Sequence, residues 1–250
     1  MDEGALRARL WDGFARLQTL LGGHAGHGQI LERDGLVASV VPGSPESPTL
    51  NAAVAVAPET APAHLQVLAD RYASANVRRW GVWLDANAAE AIRVFMDAGM
   101  VVTTASPGMG AGIDEVLNGK RTSPKQADLA TVGRVNDLAY GNPDHRLERT
   151  LKPLPNGLLH AYRADLDDGT PAAVAMAIHH NDDCGVSFVA TIPKARRKGL
   201  ATDVMRQALV HAQATGCTTT TLQATDVGER LYERLGYRRL CLMQLWEHRP

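Results

Sequence analysis

The chain has 250 residues, 45% of them hydrophobic and 21% charged, and a formal net charge of −1 at pH 7. This composition excludes a mainly disordered chain and offers no net field for nucleic acid or an anionic membrane; the length suits one large domain or two small ones. The charge is uneven: residues 1–120 hold 9 basic and 13 acidic side chains (−4), and residues 121–250 hold 17 and 14 (+3).

Three cysteines, Cys184, Cys217 and Cys241, stand at no metal-like spacing and cannot all pair. No disulfide framework and no metal are expected, and the compartment expected is a reducing cytoplasm. The start, Met1-Asp2-Glu3 followed by Leu6-Arg7-Ala8-Arg9-Leu10, is not an apolar signal core. No stretch approaches the roughly 18 uninterrupted apolar residues of a membrane span.

In chain order, the pair His24-x-x-His27 has no third ligand and reads as a polar loop. Periodicity predicts a helix over 65–75, a strand over 80–84, a helix over 88–98 stopped by Gly99, and a strand from Met100. Residues 106–112 and 119–124, rich in Gly, Ser and Pro, read as turns or linker around a short element. They divide the chain into 1–118 and 119–250. Beyond them come a helix (128–140), two strands (158–165 and 172–180) and a third strand (186–191). A long helix (197–214), a strand (218–223), a short helix (227–235) and a last strand (240–246) follow. The alternation predicts an α/β fold with a mixed, largely antiparallel sheet.

The halves echo each other. Val82-Trp83-Leu84, a helix, and Phe95-Met96-Asp97-Ala98-Gly99-Met100 parallel Thr221-Leu222-Gln223, a helix, and Tyr232-Glu233-Arg234-Leu235-Gly236-Tyr237. Ala55-Val56-Ala57-Pro58 stands where Ala190-Thr191-Ile192-Pro193 stands later. The shared order points to a tandem repeat.

One segment carries chemistry: a buried strand ending Phe188-Val189-Ala190-Thr191-Ile192-Pro193, then Lys194-Ala195-Arg196-Arg197-Lys198-Gly199-Leu200-Ala201-Thr202 opening a helix. A helix start has unpaired N–H groups and the positive dipole end. Gly199 and Ala201 would let an anion approach the backbone, and four cations cluster there; a diphosphate fits.

These residues resemble the GCN5-related N-acetyltransferase (GNAT) superfamily. Its acyl-CoA signature, Arg/Gln-x-x-Gly-x-Gly/Ala, is met by Arg196, Gly199 and Ala201, and its "A-x-x-L-Y-x-x-x-G-F" helix by Gly228 to Tyr237. The resemblance is clear over about 127–247 and fainter over 1–118. It implies a GNAT-type sheet flanked by helices in two tandem halves, 119–250 binding acetyl-CoA and 1–118 degenerate. In the degenerate half Phe95 replaces Tyr232, and Ala61 and His64 stand where Arg196 and Gly199 do.

By the same resemblance, Val189, Ala190 and Thr191 pair through their backbone with pantetheine. The turn Arg196, Arg197, Lys198, Gly199, Leu200, Ala201 and Thr202 holds the diphosphate. Tyr232 is the candidate acid, expected to protonate a departing thiolate downhill, reference pKa values being about 10 for a phenol and about 8.5 for a thiol. Tyr140, Asn142, Asp144 and His145 are candidates to select the acceptor amine. The strand before Pro193 shows no acid, which leaves Asp182, Asp183, His179 and His180 as bases acting through water, or simply as a hairpin turn. The implied activity is acetyl transfer from acetyl-CoA to a primary amine, on a small molecule or peptide, by a monomer or homodimer. The alternative is a non-catalytic acyl-CoA sensor.

Overall fold

The computed structural model describes residues 2–24, 27–118, 125–155, 157 and 159–249. The chain opens with α1 (Glu3–His24), β1 (Gln29–Arg33), β2 (Leu36–Val40) and β3 (Ala52–Ala55), then α2 (Ala61–Ser74), β4 (Trp80–Asp85) and α3 (Ala89–Asp97). β5 (Val101–Gly112), α4 (Ile113–Leu117), α5 (Leu129–Tyr140), α6 (Arg146–Leu151), β6 (His160–Asp165) and β7 (Pro171–His180) follow. β8 (Asp183–Thr191), α7 (Leu200–Ala214), β9 (Thr219–Gln223), α8 (Asp226–Leu235) and β10 (Arg238–His248) complete it. Among the described residues no helix is long and apolar enough to cross a membrane.

All ten strands join one sheet in the order β1-β2-β3-β4-β10-β5-β9-β8-β7-β6. Two neighbour pairs are parallel, β3–β4 and β8–β9; the others are antiparallel. The order is symmetric about its centre, where the last strand, β10, pairs with β4, and β5 pairs with β9.

This corrects one expectation. Residues 106–112 are not a turn: they lie in β5, joined to both β10 and β9. Their glycines allow close approach instead of bending. A Cβ on Gly108 would meet Cys241 Sγ at 2.8 Å, and one on Gly110 would meet Leu240 Cδ1 at 2.8 Å. The expected linker 119–124 lies outside the described residues.

Side-chain alternation gives the sheet two buried faces. On one, α1 crosses the sheet centre. Leu6, Leu10 and Trp11 pack on Val54, Trp83, Met243 and Leu245, while Leu17, Leu20 and Leu21 meet α5 and α6 above Val174 and Met176. On the other, α2 and α3 cover Ala53, Val82 and Leu84, and α7 and α8 cover Ala175, Val186 and Leu222. Asp128 caps α5 by accepting from Thr131 N at 2.6 Å, which holds its carboxyl below the usual range. Gly141 ends that helix at φ 69°.

Two glycines in helices have opposite surroundings. Gly133 in α5 lies against the backbone of α6, where an added Cβ would come within 2.8 Å of Leu147 C and closer still to Glu148. A Cβ on buried Gly13 in α1 would meet nothing within 4 Å. Gly133→Ala should therefore force α6 away and cost about 1–3 kcal/mol. Gly13→Ala should stabilise by about 0.4–1 kcal/mol. Urea denaturation of the two variants reads both signs.

Three imidazoles pack between β6, β7 and α7: His160 lies 4.2 Å from His179 and 4.8 Å from His211, centroid to centroid. Tyr162 Oη bonds His211 Nδ1 at 2.7 Å. Burial first, then the charges of His160 and His211, pulls His179 down to about 4. Between about pH 6.5 and that value the unfolded chain takes up a proton that the folded one refuses. Stability should fall as pH falls through this window and gain nothing further from His179 above it. His179→Phe should flatten that part of the pH–stability curve.

Candidate active site

β8 and β9 run in parallel register from Asp183–Thr219 to Val186–Leu222, and there their pairing stops. β8 continues to Thr191 alongside β7 alone. Its ladder with β7 contains a bulge: Ser187 and Ala190 are separated by two residues, whereas their partners Met176 and Val174 are separated by one. Phe188 takes up the irregularity at φ 52°, a left-handed conformation that a bulky residue adopts only under strain.

The extra residue also switches the faces. Cys184 and Val186 point toward α7 before the bulge, whereas Ala190 points to the opposite face after it.

The separation opens a cavity of about 700 Å³. Ser187, Phe188 and Val189 of β8, Thr221 and Gln223 of β9, and Thr225 and Tyr232 of α8 and its cap form one side. Leu10, Gly13, Phe14 and Leu17 of α1, with Trp83, Asn136 and Tyr140, form the other. Among the described residues, no Asp, Glu, Lys, Arg or His lines it.

Past β8 the chain makes a 3-10 turn at Pro193–Ala195 and two left-handed residues, Arg197 at φ 61° and Gly199 at φ 84°. Gly199 is the N-cap of α7 and no side chain caps this helix start, so the first-turn amides have no partner within the helix. A Cβ on Gly199 would meet open space; its φ, and not crowding, is what calls for glycine. Lys194, Arg197 and Lys198 are exposed. Arg196, also exposed, donates to two carbonyls, Thr191 O at 3.2 Å and Ala139 O at 2.9 Å, and ties the turn to the end of α5.

The other sequence-predicted residues divide clearly. Val189 lines the cavity, Ala190 is buried, and Thr191 Oγ1 is buried without a hydrogen-bond partner, as is Gln223 Nε2 on the facing strand. Tyr140 stands on the rim, 57% exposed, and lines the cavity. Asn142, Asp144 and His145 do not. Asn142 bonds Asp137, Asp144 pairs with Arg146, and His145 pairs with Glu148.

Tyr232 is buried and lines the cavity, and its ring lies beside Gly228, where a Cβ would come within 3.2 Å of Cε2. Burial, followed by the charge of Tyr140, raises its pKa above the ordinary tyrosine range. The expected downhill transfer thus has its sign reversed. A proton moves spontaneously from the lower-pKa acid, so phenol to thiolate is uphill by about 1.5 units, or about 2 kcal/mol, even at reference values. Burial steepens that climb. Tyr232 keeps its proton and is equipped to donate a hydrogen bond.

The candidate bases also change. β8 begins at Asp183, three residues earlier than periodicity suggested, so the strand does carry an acid. Asp183 is buried and its Oδ2 accepts from Thr221 Oγ1 at 2.6 Å, and Thr221 lines the cavity. Burial pushes the Asp183 carboxyl up, outweighing the hydrogen bonds from Thr221 and Thr219. His179 belongs to the imidazole cluster and lies outside the cavity lining. His24 bonds Leu20 O at 3.0 Å, and among the described residues no group of three or more His, Cys, Asp or Glu is placed to hold a metal.

Sequence reasoning missed the α1 wall, although Leu10, Phe14, Leu17 and Leu21 recur at helical spacing. It also missed Gln223 and the bulge, which no local pattern marks.

Residues 134–237 match the model of the acetyltransferase (GNAT) family. No curated protein matches the chain. A GCN5-related N-acetyltransferase from Kribbella flavida superimposes with a TM-score of 0.68 at 19% identity, over 96% of this chain and 94% of its own. A tandem GNAT protein from the clavulanic acid biosynthesis pathway does so at 0.63 and 12% identity, over 94% and 87%. A GCN5-related N-acetyltransferase from Sphaerobacter thermophilus gives 0.58 and 14%, over 88% and 83%. The later part of the chain thus carries the GNAT sequence pattern, and the overall fold is GNAT-like.

Proposed function

We propose that the chain is an N-acetyltransferase that moves an acetyl group from acetyl-CoA to a primary amine by direct attack in a ternary complex. The observation that carries this reading is the opening of β8 from β9 after Val186, followed at once by an uncapped helix start. The edge of β8 at Val189, Ala190 and Thr191, where β9 no longer pairs with it, supplies hydrogen bonds to a pantetheine chain. The buried, unpartnered Gln223 Nε2, on a residue that lines the cavity, fits a polar ligand there. The amides of Gly199, Leu200, Ala201 and Thr202 face the diphosphate, with Arg197 and Lys198 beside them, and Arg196 holds the turn in place.

At the reacting end, Tyr232 donates to the sulfur as charge grows there, stabilising it without giving up the proton first. Thr221 accepts the amine proton while passing its own to Asp183, whose raised pKa brings the carboxyl closer to the working pH. The sensor alternative drew its support from a strand without an acid; Asp183 at the start of β8 removes that support.

The symmetric strand order supports reading 1–118 and 119–250 as two GNAT-like units with exchanged last strands. Phe95 is fully buried in the first unit, and α2 starts with Ala61-Pro62 and no basic turn, as suits a unit that binds no acyl-CoA.

Calorimetry should register acetyl-CoA binding. Gly199→Val should weaken it about tenfold, since the left-handed conformation at φ 84° costs a side-chain-bearing residue about 1–2 kcal/mol. Tyr232→Phe should lower kcat about 10- to 100-fold with little change in acetyl-CoA affinity; full turnover in that variant would remove its role.

With a low-pKa amine as acceptor, kcat should fall as pH drops through the raised pKa of Asp183. Asp183→Asn should lower the plateau and abolish that acid limb. A profile unchanged in Asp183→Asn would place the base elsewhere.

A further inference from the structure

The cavity does not end at the strand opening. It extends over the sheet face under α1, which belongs to the segment outside the family match. There its wall is Leu10, Phe14 and Leu17 of α1 and Trp83 of β4, with the rings of Phe14 and Trp83 edge to face at 5.3 Å. Gly13 is buried in the middle of this wall, yet a Cβ there meets nothing within 4 Å, so the space beside it belongs to the chamber.

Gln18, Arg9 and Asp183 nearby are already engaged. Gln18 Nε2 donates to Ser39 Oγ at 2.5 Å and to Thr49 O at 3.1 Å. Arg9, one turn before Gly13, donates to Thr219 Oγ1 at 2.6 Å. Asp183 sits behind Thr221.

From this geometry we infer the acceptor class, on the premise of the transferase reading above: a primary amine carried on an aromatic or branched apolar body with no second charge. A carboxylate, phosphate or additional ammonium on the acceptor would be desolvated in a chamber whose lining holds no counter-charge among the described residues. An unpaired buried ion is far costlier than a buried apolar group, whereas an apolar body gains from contact with Leu10, Phe14, Leu17 and Trp83. The reacting amine itself enters neutral, as attack on a thioester requires. α1 is then the specificity element, and Gly13 sets the depth of the chamber.

The test follows thiol release from acetyl-CoA with 2-phenylethylamine, phenylalanine amide, phenylalanine, spermidine and an aminoglycoside. The first two should be the best acceptors, and with kcat/KM expressed per neutral amine, since the amide's amino group is the more acidic, the amide should exceed the free amino acid by about a hundredfold. Gly13→Leu should keep acetyl-CoA affinity by calorimetry and cut kcat/KM for 2-phenylethylamine at least about tenfold. Gly13→Ala, which adds a single methyl in open space, gives a smaller loss in a fold that tolerates it and serves if the leucine variant is poorly folded.

Spermidine or the aminoglycoside matching the aromatic amines overturns the inference. So does a folded Gly13→Leu with unchanged kcat/KM. Acetyl-CoA binding with thiol release to polar acceptors would sink this inference alone, whereas absence of any acetyl-CoA binding would sink the transferase reading and this inference with it.

Discussion

The bulge at Phe188 and Val189 is the constraint on which the site depends. The extra residue falls just past the last pair of β8 with β9, Val186–Leu222, where Thr221, Gln223 and Tyr232 line the cavity. A left-handed phenylalanine is costly, and a fold retains such a residue only where surrounding packing holds it. Here the packing comes from both sides, because the bulge hands Ala190 and Ile192 to the α5 face while Val186 stays on the α7 face. One inserted residue thus stands at the cavity and joins two cores.

The second constraint is the interlocked centre of the sheet. β10 lies between β4 and β5, and β5 lies between β10 and β9, so each half of the sheet includes a strand drawn from the distant part of the chain. Neither segment can separate without breaking three ladders, β4–β10, β10–β5 and β5–β9. This arrangement also accounts for the glycines of β5, since Cys241 and Leu240 crowd positions 108 and 110 where a side chain would otherwise stand. It sets α1 across the centre, where the helix closes the cavity from above.

Much of the later half was legible. Its helices are long and amphipathic, its turns carry Gly, Asp and Asn, and the observed bounds fall close to those expected, as in 128–140 against α5 and 197–214 against α7. In the earlier half the helix at 65–75, the strand at 80–84 and the helix at 88–98 were legible too, as α2, β4 and α3, but residues 1–55 were not. β1, β2 and β3 are four or five residues long, and α1 mixes its apolar stripe with Arg7, Arg9, Asp12, Arg16 and Gly13, which dilutes the period. Ser106 to Gly112 misled because glycine signals a turn and a close approach alike, and only the neighbouring strands distinguish them. The same holds for Asp183: its place at the hairpin looked like a solvated turn, although pairing with Thr219 buries it.

By itself the sequence determined what near neighbours decide: the basic turn after Pro193, a glycine at the head of α7, and Tyr232 on the helix behind β9. Those features depend on residues a few positions apart, so their physics is local. The tertiary structure alone decided the bulge, the crossed strands, the engagement of Arg196 by two carbonyls, and the apolar roof that α1 lays over the opening. Each of these is settled by contacts between distant segments, where register and burial follow from how whole faces fit together and not from the preferences of any short stretch.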